Sequence, residues 1–479
     1  MHGRLTGRTP YAERVRSARL VYLNGALVGD VGAAPAFAGA IEAVEGYYAL
    51  QAERPEIHLA RRADGAAIPT SLLVPETAAD LAKKRASYKE IADLSFGMLG
   101  RTPDFINAAV MALGAHSEVL SSDRHASYED NARNYYDHVC ANNLFIGHGA
   151  INPQIDRSVS MGGSGHSHAG VKVVGHDSAG ITVSGAKMIL TLAPLADELL
   201  IFNMPGLQPG DEDFALAFAI PVSAPGLKLI CRKSFYKPEY STFDHPLANR
   251  FDEIDSYMIL EDAFVPWERV FVFRDVARSN AFYDKTYARN HAGHQGIVRG
   301  LAKAELAAGV AVRLAEDLGL AGAPAVQEQL GEIASCLELV KALIARSETE
   351  ATRSEAGVLT PNIVAIQSMR WNFPRMYQRI LEIIRSLAPG SMLAAPIDAD
   401  FAGENGALLT MALTSAKLPA RERIQLLNLA WDLVGDAFGQ RQLTYEYYHA
   451  GEPGRISAGQ YKNYDWRQER LSVARSLEP

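Results

Sequence analysis

A histidine between two glycines, followed by a polar turn that a proline constrains, is the part of this sequence best suited to hold a ligand. The segment Phe145–Ser158 (FIGHGAINPQIDRS) begins extended and apolar and becomes polar around Pro153. We expect Gly147 and Gly149 to leave His148 without bulky neighbours, while Pro153 fixes φ and sets the positions of the polar residues after it. A planar cofactor with hydrogen-bonding edges would suit such a wall. The alternative is a surface loop between a helix and a strand.

Arg101 is the second residue whose position indicates chemistry. Gly100 before it fits the end of one helix, and Pro103 after it fits the first turn of the next. Arg101 therefore falls in a loop between two helices, where a fixed guanidinium group could face a pocket. The alternative is a solvated surface charge or a salt bridge between packed helices.

Two groups of histidines could bind a metal, but neither has the pattern of a metal site. The segment Met161–Gly170 (MGGSGHSHAG) has no carboxylate or cysteine at ligand spacing and lacks the context of a phosphate-binding loop, so a flexible hairpin tip is expected. His291 and His294 lack a nearby carboxylate in the sequence, and we expect them to pack at an interface. The cysteines lie too far apart for a metal or disulfide framework: Cys140, Cys231 and Cys336.

The composition is that of a globular protein with several domains. The 479 residues are 48% hydrophobic and 21% charged, with a net charge of −8. No Lys/Arg-rich run offers the phosphate contacts of a nucleic-acid partner, and no apolar run of about 18 residues could span a membrane. The N-terminus lacks the apolar segment of a signal peptide, so a cytoplasmic location is expected.

Three predicted domains place the candidate residues. Residues 1–144 are expected to be mainly helical after a hairpin at Leu20–Val28, where Asn24-Gly25 separates two apolar runs. The predicted helices of this domain cover Thr77–Lys84, Tyr88–Leu99 with its end at Gly100, a segment beginning at Pro103, and Asn131–Asn143.

Residues 145–274 form a predicted small antiparallel β-barrel, because short apolar runs alternate with turn residues. Its strands are predicted at Val171–Val174, Ile181–Val183, Glu198–Phe202, Phe214–Ile220, Leu227–Ile230 and Tyr257–Leu260. Residues 275–479 form a predicted four-helix bundle with apolar stripes. Its third helix begins at Pro361 and bends at Pro374, and its fourth covers Leu418–Phe438 and ends at Gly439. The fold class is therefore α+β.

The motifs indicate a family. Val183–Asp197 (VSGAKMILTLAPLAD) and Glu261–Val270 (EDAFVPWERV) resemble strands of the acyl-CoA dehydrogenase-like flavoproteins. Four further motifs, in order along nearly the whole chain, resemble the oxygenase components of the 4-hydroxyphenylacetate 3-hydroxylase family: GRTPDF from Gly100, INPQIDR from Ile151, HPLANRFDE from His245 and LAWDLVGDAFGQR from Leu429.

The resemblance implies a two-component aromatic monooxygenase. Such an enzyme is a homotetramer, receives FADH2 from a separate NAD(P)H flavin reductase, and reacts it with molecular oxygen. A flavin C4a-hydroperoxide then hydroxylates a small phenolic substrate ortho to its oxygen. No nicotinamide site is needed, which agrees with the absence of a Rossmann glycine motif.

The resemblance also implies roles for individual residues. Arg101 and His148 match catalytic residues that contact the substrate and favour its phenolate form, which suits a guanidinium and an imidazole because a free phenol has a pKa of about 10. Phe105, Asn203 and Met204 match further substrate positions. The positions that match flavin contacts are His148, Gly149, Ala150, Gln154, Ile155, Asp156, Arg157, Thr191, Ala450, Gly451, Glu452 and Pro453.

One departure concerns the substrate. The family's arginine motif usually ends in Tyr, whereas this chain has Phe105, so 4-hydroxyphenylacetate is in doubt and a different ring substituent is expected. The segment Ser234–Phe243 is expected to cover the substrate and offers Tyr236, Lys237 and Tyr240. Halogenated or nitrated phenols, tyrosine-like precursors and phenolic natural-product intermediates remain open.

Three other functions are compatible with parts of the sequence. A 4-hydroxybutyryl-CoA dehydratase would need three cysteines and a histidine for its iron–sulfur cluster, and only Cys140 lies near the required region. An acyl-CoA dehydrogenase would need a catalytic carboxylate facing the substrate, and the bundle offers no convincing one. A non-enzymatic scaffold would not require Arg101, His148 and Thr191 together.

Overall fold

A computed structural model of the protein describes residues 9–62, 64–155, 158–163, 169–449 and 451–477. The α-helices of these residues are α1 (Tyr11–Arg14), α2 (Pro35–Glu53), α3 (Pro55–His58), α4 (Ala78–Asp93), α5 (Pro103–Ala115), α6 (Tyr128–Asn142), α7 (Ala248–Phe251), α8 (Val276–Lys285), α9 (Ala288–Asp317), α10 (Pro324–Thr349), α11 (Ile363–Leu387), α12 (Pro389–Leu393), α13 (Asp398–Ala402), α14 (Gly406–Leu413), α15 (Ala420–Val434), α16 (Ala437–Tyr448), α17 (Pro453–Asn463) and α18 (Arg467–Ser476).

The β-strands are β1 (Leu20–Leu23), β2 (Ala26–Leu27), β3 (Leu59–Arg61), β4 (Ala67–Pro69), β5 (Ile146–Gly149), β6 (Lys172–His176), β7 (Gly180–Thr191), β8 (Glu198–Ile201), β9 (Leu216–Pro221), β10 (Leu227–Cys231), β11 (Asp255–Pro266), β12 (Val270–Phe273), β13 (Thr352–Arg353) and β14 (Leu359–Thr360). One sheet has the order β2-β1-β10-β11-β7-β6 and another the order β12-β9-β8-β5, while β3 pairs with β4 and β13 with β14.

The sheets differ from the closed antiparallel barrel that the sequence predicted. Strands β1 and β10 pair in parallel, as do β5 and β8, and the described residues form two separate larger sheets with free edges. The mixed helix and sheet composition was predicted correctly. The pairing was not, because alternation of apolar residues along a strand does not encode which distant strand lies beside it.

The N-terminal hairpin was predicted correctly, but it belongs to the larger sheet. Asn24 and Gly25 have φ angles of 54° and 81°, as a tight two-residue turn with both central residues at positive φ requires. Tyr22 pairs with Leu27 across the hairpin, and β1 lies against β10. This region of the chain is therefore continuous with the sheet that carries Thr191.

The helix before Arg101 ends earlier than predicted. A single helix, α4, replaces the two expected ones, and Thr77 and Asp80 form a capping box at its start. After α4 the chain turns through Phe96 and Gly97, both at positive φ. A β-carbon at Gly97 would lie 2.7 Å from the carbonyl oxygen of Arg299, so this turn packs directly on α9. Helix α5 begins at Pro103, as predicted.

The C-terminal helices confirm most of the predicted stripes. Helices α9, α10, α11 and α15 pack against one another, and α11 remains helical across Pro374. The predicted fourth helix is instead divided into α15 and α16 by Gly435 and Asp436, and Asp436 caps α16 by accepting from the Phe438 amide. Gly439 lies inside α16, where a β-carbon would lie 2.3 Å from the Leu433 carbonyl oxygen. The divided helix turns the end of α16 toward Arg101.

Helix α5 packs against both β5 and α9, so the loop before α5, the histidine on β5 and the first turns of α9 meet in one place. No helix among the described residues is both long and apolar enough to cross a membrane.

Candidate active site

Arg101 is buried, and its guanidinium group is fixed from several sides. It is 7% exposed, and its Nη2 donates to the carbonyl oxygen of His449 at 2.9 Å. The guanidinium carbon lies 3.9 Å from the ring centre of Phe105. The backbone amides of Gly100 and Arg101 donate to one carboxylate oxygen of Glu253 at 2.5 and 2.8 Å. Arg101 is therefore not a solvated surface charge.

His148 is neutral and lies between aromatic rings. Its ring centre is 5.8 Å from that of Phe105 and 6.2 Å from that of Phe202. Burial and the nearby charge of Arg101 lower the pKa of His148 to about 3. Its Nδ1 is buried and has no hydrogen-bond partner within the part of the chain that the structure describes. In the tautomer protonated at Nε2, Nδ1 can accept a proton from a ligand.

Gly147 and Gly149 face the strands beside β5 and not His148, which corrects the reason predicted for them. Successive residues of a strand point to opposite faces. A β-carbon at Gly147 would lie 2.8 Å from Leu199 Cδ2, and one at Gly149 would lie 3.2 Å from Leu190 Cδ2. The glycines thus allow β5 to approach β7 and β8 closely, which brings His148 and Gly149 near the end of β7.

A cavity with an empty volume of about 470 Å³ lies beside Phe105. Small, apolar and aromatic residues form most of its wall, together with three arginines and a histidine. The lining residues are Phe105, Tyr283, Arg289, Ala292, Gly293, Gly296, Ile297, Arg299, Met369, Arg370, Phe373 and His449. Tyr283 stacks on Phe202 with ring centres 5.3 Å apart, so aromatic contacts connect the cavity wall to His148.

Behind the cavity lies a buried ionic cluster that the sequence did not reveal. Glu446 accepts from Arg299 Nη2 at 2.9 Å and from Lys303 Nζ at 2.6 Å, and Lys303 also donates to Gln442. Burial alone would raise the pKa of the Glu446 carboxyl, but the two cations outweigh it and hold that pKa well below its usual value. The available signal was Arg299 and Lys303 four residues apart on the apolar face of α9, where buried cations require a counter-charge.

Thr191 belongs to a second buried network. Its hydroxyl donates to Asp255 Oδ1 at 2.7 Å, and Arg441 bridges Asp255 and Glu253 at 2.7 and 2.8 Å. In this rotamer the hydroxyl hydrogen of Thr191 is used in the hydrogen bond to Asp255, so the hydroxyl oxygen can only accept a hydrogen bond from a cofactor. The role of hydroxyl donor predicted for Thr191 requires a change of rotamer.

The predicted substrate residues Asn203 and Met204 lie apart from the cavity wall. The Asn203 side chain is buried and used at both ends, since its oxygen accepts from Lys187 at 2.7 Å and its nitrogen donates to the carbonyl of Phe214 at 2.8 Å. Met204 packs against the hydrophobic core. A substrate contact by the Asn203 amide would have to replace one of these bonds.

The predicted flavin positions between His148 and Arg157 differ in how far they are buried. His148 and Gly149 lie on β5, and Ala150 follows half-buried, whereas Gln154 and Ile155 are exposed. Three predicted contacts lie outside the described residues: Asp156, Arg157 and Ala450. Most of the segment predicted as a flexible hairpin tip, residues 164–168, also lies outside them.

The predicted segment at 451–453 lies at the edge of the cavity. Gly451 has a φ of 115°, and a β-carbon there would lie 3.6 Å from Arg370 Nη2. Glu452 caps α17 by accepting from the Gly454 and Arg455 amides, and Pro453 begins that helix. This segment therefore borders the same cavity as Phe105.

One group in the described residues could hold a metal by distance alone, namely His245, Asp432 and Asp436. The ammonium group of Lys237 already supplies a cation there, since it bonds to Asp436 and lies 3.3 Å from the His245 ring nitrogens. Lys237 thus anchors the segment Ser234–Phe243 on α16. Neither Lys237, Tyr236 nor Tyr240 lines the cavity beside Phe105, contrary to the expectation that this segment covers it.

His291 and His294 are both buried on α9, and they do not share a ligand. His294 Nε2 lies 2.9 Å from Glu348 Oε1, a carboxylate that the local sequence did not reveal, whereas neither ring nitrogen of His291 has a partner in the described residues.

The fold is shared with an enzyme of known structure. A 4-hydroxybutyryl-CoA dehydratase from N. maritimus superposes with a TM-score of 0.88 over 98% of this chain and 94% of that one, at 21% identity, which shows the fold alone. Sequence profiles then identify the family: "4-hydroxyphenylacetate 3-hydroxylase N terminal" matches residues 7–272 and "4-hydroxyphenylacetate 3-hydroxylase C terminal" matches residues 279–478. The chain belongs to the 4-hydroxyphenylacetate 3-hydroxylase family.

Individual relatives agree with this assignment. The 4-hydroxyphenylacetate 3-monooxygenase oxygenase component of Geobacillus sp. (strain PA-9) is 36% identical over 95% of this chain and 93% of its own. The Thermus thermophilus counterpart is 38% identical over 93% and 91%. A structure of such a component complexed with FAD and 4-hydroxyphenylacetate has 36% identity and a TM-score of 0.93, covering 98% of both chains. The family and the enzyme class, a flavin-dependent monooxygenase, were therefore predicted correctly from the motifs.

Proposed function

We propose that this protein is the oxygenase component of a two-component monooxygenase that hydroxylates a phenol ortho to its oxygen, using FADH2 from a separate NAD(P)H flavin reductase and molecular oxygen. The observation that carries the proposal is the convergence of Arg101 and a neutral His148 on the ring of Phe105, which lines the cavity. The relatives, which are named as oxygenase components, support the need for a reductase.

The residues present fit FAD. The close approach of Gly149 to β7 leaves a backbone wall without side chains next to Thr191, and the segment beginning at Gly451 borders the cavity beside Phe105. These residues, with Ala150, Gln154 to Arg157 and Ala450 to Pro453, would hold the isoalloxazine. Reduced FAD, when bound, supplies the activation of oxygen from which a hydroxyl group is transferred.

The chain's own residues prepare the phenol. A free phenol has a pKa of about 10, so it remains protonated at neutral pH unless the site favours the anion. Arg101 places a permanent positive charge beside the phenol oxygen, which favours the anion, and Nδ1 of neutral His148 can accept a hydrogen bond from a phenol that is still protonated. The phenolate directs electron density to the ortho carbon that reacts. Phe105, Ile297, Met369 and Phe373 exclude water from that carbon.

Phe105 affects which phenol is accepted. Its ring carries no hydroxyl and stacks under the Arg101 guanidinium, so a substrate finds one polar contact fewer than a tyrosine would provide. 4-Hydroxyphenylacetate, halogenated or nitrated phenols and tyrosine-like precursors are therefore the panel to compare.

Assembly as a homotetramer is part of the proposal. The helices after α11 leave large apolar side chains in solvent, including Leu393 at 76% and Met411 at 75% exposure. Apolar groups exposed to this degree favour burial against further copies of the chain. We also propose the domain limits 1–144, 145–274 and 275–479, and a cytoplasmic location, where NAD(P)H and the reductase would be available.

The decisive experiment supplies FADH2 through an unrelated flavin reductase and measures hydroxylated product and hydrogen peroxide for each phenol of the panel. We expect at least one phenol to give product with oxygen, and we expect the pure protein to oxidise no NADH without the reductase. Robust NADH consumption by the protein alone, or peroxide without product for every phenol, would contradict the proposal.

The same preparation tests the two related reactions. Reduction of bound FAD by an acyl-CoA would favour an acyl-CoA dehydrogenase. A dehydratase would need cysteines at its cluster, whereas Cys140, Cys231 and Cys336 lie on α6, β10 and α10 and none of them lines the cavity. Failure to bind reduced FAD would instead favour a non-enzymatic scaffold.

A further inference from the structure

Lys187 is a buried lysine on β7 whose side chain binds three neutral oxygens. It is 1% exposed. Its Nζ donates to Asn152 Oδ1 at 2.7 Å, to the Phe202 carbonyl oxygen at 3.0 Å and to Asn203 Oδ1 at 2.7 Å. Three acceptors use three N–H groups, and only the ammonium form of lysine has three. Lys187 is therefore a buried cation here, although burial lowers its pKa to about 7.

A β-bulge directs the Lys187 side chain toward β5. Between Lys187 and Leu190 the pairing of β7 with β11 shifts by one residue, and Ile189 has a φ of 58°. Because side chains alternate along a strand, the extra residue places Lys187 and Leu190 on the same face. Leu190 is the residue that closely approaches Gly149 of β5. Lys187 thus lies on the side of β7 that faces the end of β5.

The three acceptors belong to two segments that leave the sheet at the same edge. Asn152 lies in the polar turn after β5, and Phe202 follows β8, which pairs in parallel with β5. The ring of Phe202 stacks on His148 with ring centres 6.2 Å apart, and on Tyr283 of the cavity wall with ring centres 5.3 Å apart. Lys187 therefore joins the turn after β5 to the segment that packs on His148.

The joining of these segments by a charged group is costly. Transfer of an ammonium group from water into the protein interior is unfavourable, and neutral oxygens offset only part of that cost. Buried ionised groups of this kind are frequent at functional sites. An ammonium group can, however, donate to three acceptors at once, which no neutral side chain of similar length can do. The gain from Lys187 is thus a fixed geometry of two segments.

We propose that Lys187 is a positioning residue of the flavin site: its ammonium group fixes the turn around Asn152 against Phe202, so that the wall expected to hold the isoalloxazine is in place before the cofactor binds. This inference rests on the proposed function and adds to it a residue that does not line the cavity. Lys187 acts through Asn152 and Phe202, without touching flavin or phenol. A preformed wall lowers the ordering cost of binding, so its loss should appear as weaker FAD binding.

The experiment removes all three bonds and, separately, only one of them. Lys187→Met keeps an apolar side chain of similar length without the charge. Asn152→Leu removes only the bond to the turn, and Asn152 is half-buried, so this variant should fold even if Lys187→Met does not. The double variant tests whether the two substitutions act through the same bond. Lys172→Met is the matched control, because Lys172 is a half-buried lysine on β6, the strand beside β7.

Binding of FAD, oxidised and anaerobically reduced, is measured by titration of the full-length protein. Lys187→Met should weaken binding by about 10-fold or more, the scale of a lost charge-assisted hydrogen bond. Asn152→Leu should weaken it by a smaller factor. The double variant should lose less than about 3-fold beyond Lys187→Met, because its second substitution removes a bond that is already lost. Lys172→Met should bind FAD as the wild type does.

Hydrogen exchange in the absence of FAD provides a readout that does not depend on the cofactor. In Lys187→Met, peptides covering residues 150–155 and 202–204 should exchange at least about 10-fold faster, because both segments lose a shared anchor. Peptides from α9 should keep the wild-type rate. In Asn152→Leu the increase should be confined to residues 150–155, and Lys172→Met should change neither segment.

Wild-type exchange in both segments of Lys187→Met, or wild-type FAD affinity in that variant, would overturn the inference. If Lys187→Met does not fold, wild-type exchange of residues 150–155 in Asn152→Leu would overturn it. Losses of FAD affinity that multiply in the double variant would also do so, because Asn152 would then contact the flavin independently of Lys187. Failure of the proposed function is distinguishable, since it would appear as a wild type that binds FAD in neither redox state.

Discussion

Replacing Arg101 with alanine should separate the reaction of the flavin with oxygen from hydroxylation. The guanidinium group is buried, stacks on Phe105 and is held by the His449 carbonyl, so under the proposed function its charge would act on the phenol with little solvent screening. Losing one charge-assisted hydrogen bond to the phenolate costs about 1.5–3 kcal/mol. That cost corresponds to roughly a 10- to 100-fold loss of hydroxylation rate. The electrons should then appear as hydrogen peroxide.

The assay measures hydroxylated product and peroxide for each FADH2 consumed, with FAD binding measured separately. Arg101→Ala should bind FAD normally and be uncoupled, and Arg101→Lys should be intermediate, because it keeps the charge but loses the planar fork. His148→Ala should lower both flavin affinity and product yield, because the proposed function has His148 contact both ligands. If Arg101→Ala lost flavin binding while its remaining turnover stayed coupled, Arg101 would belong to the cofactor. The conclusion that Phe105 affects which phenol is accepted would then also be wrong.

Two further predictions follow from the geometry of the cavity. Because the pKa of His148 is lowered to about 3, this residue stays neutral from about pH 5 to 8 and becomes charged only in stronger acid. The affinity for a neutral phenol should therefore not fall as the pH is lowered from about 8 to 5. A loss of affinity below about pH 6.5 that His148→Gln removes would contradict this prediction. Gly296→Ala should stabilise α9 by about 1 kcal/mol while weakening phenol binding, because a β-carbon there meets no atom within 4 Å and enters the cavity. Gly309→Ala, equally unhindered on the same helix but outside the cavity, should match the gain in denaturation assays and leave phenol affinity unchanged.

The sequence located Arg101 correctly but could not show why it is buried. Gly100 and Pro103 predicted a loop between helices, and Pro103 does begin α5. Burial depends on Glu253 and His449, which contact Arg101 from positions 152 and 348 residues away along the chain. Local pattern carries no information about such partners, so a surface charge remained possible until the fold was known.

The ends of helices and the pairing of strands were the other features of the fold that the local sequence pattern could not predict. The apolar stripe of the predicted helix Leu418–Phe438 continues through Gly435, so periodicity joined α15 to the start of α16. The division is caused by the Asp436 cap, whose carboxylate also pairs with Lys237 from another part of the chain. Likewise, the strands of the middle region were mostly recognised, yet the parallel pairing of β1 with β10 joins residues that no local turn connects.

The buried network of Glu253, Arg441 and Asp255 also explains why motifs that are far apart in the sequence belong to one site. Glu253 ends the motif that begins at His245, and Arg441 ends the motif that begins at Leu429. Arg441 binds Glu253 and Asp255 together. Glu253 fixes the Arg101 loop, whereas Asp255 holds the hydroxyl of Thr191.

The residue expected to face the flavin and the residue expected to face the phenol are thus attached to opposite ends of one buried carboxylate–arginine–carboxylate bridge. Gly100 completes this arrangement, because a β-carbon there would lie 2.0 Å from the Tyr445 hydroxyl oxygen and would push the Arg101 loop away from Glu253. Removing one member of such a bridge leaves a buried charge without its partner, at a cost of about 3–5 kcal/mol. The positions of Thr191 and Arg101 therefore depend on the same bridge, although 90 residues separate them in the sequence.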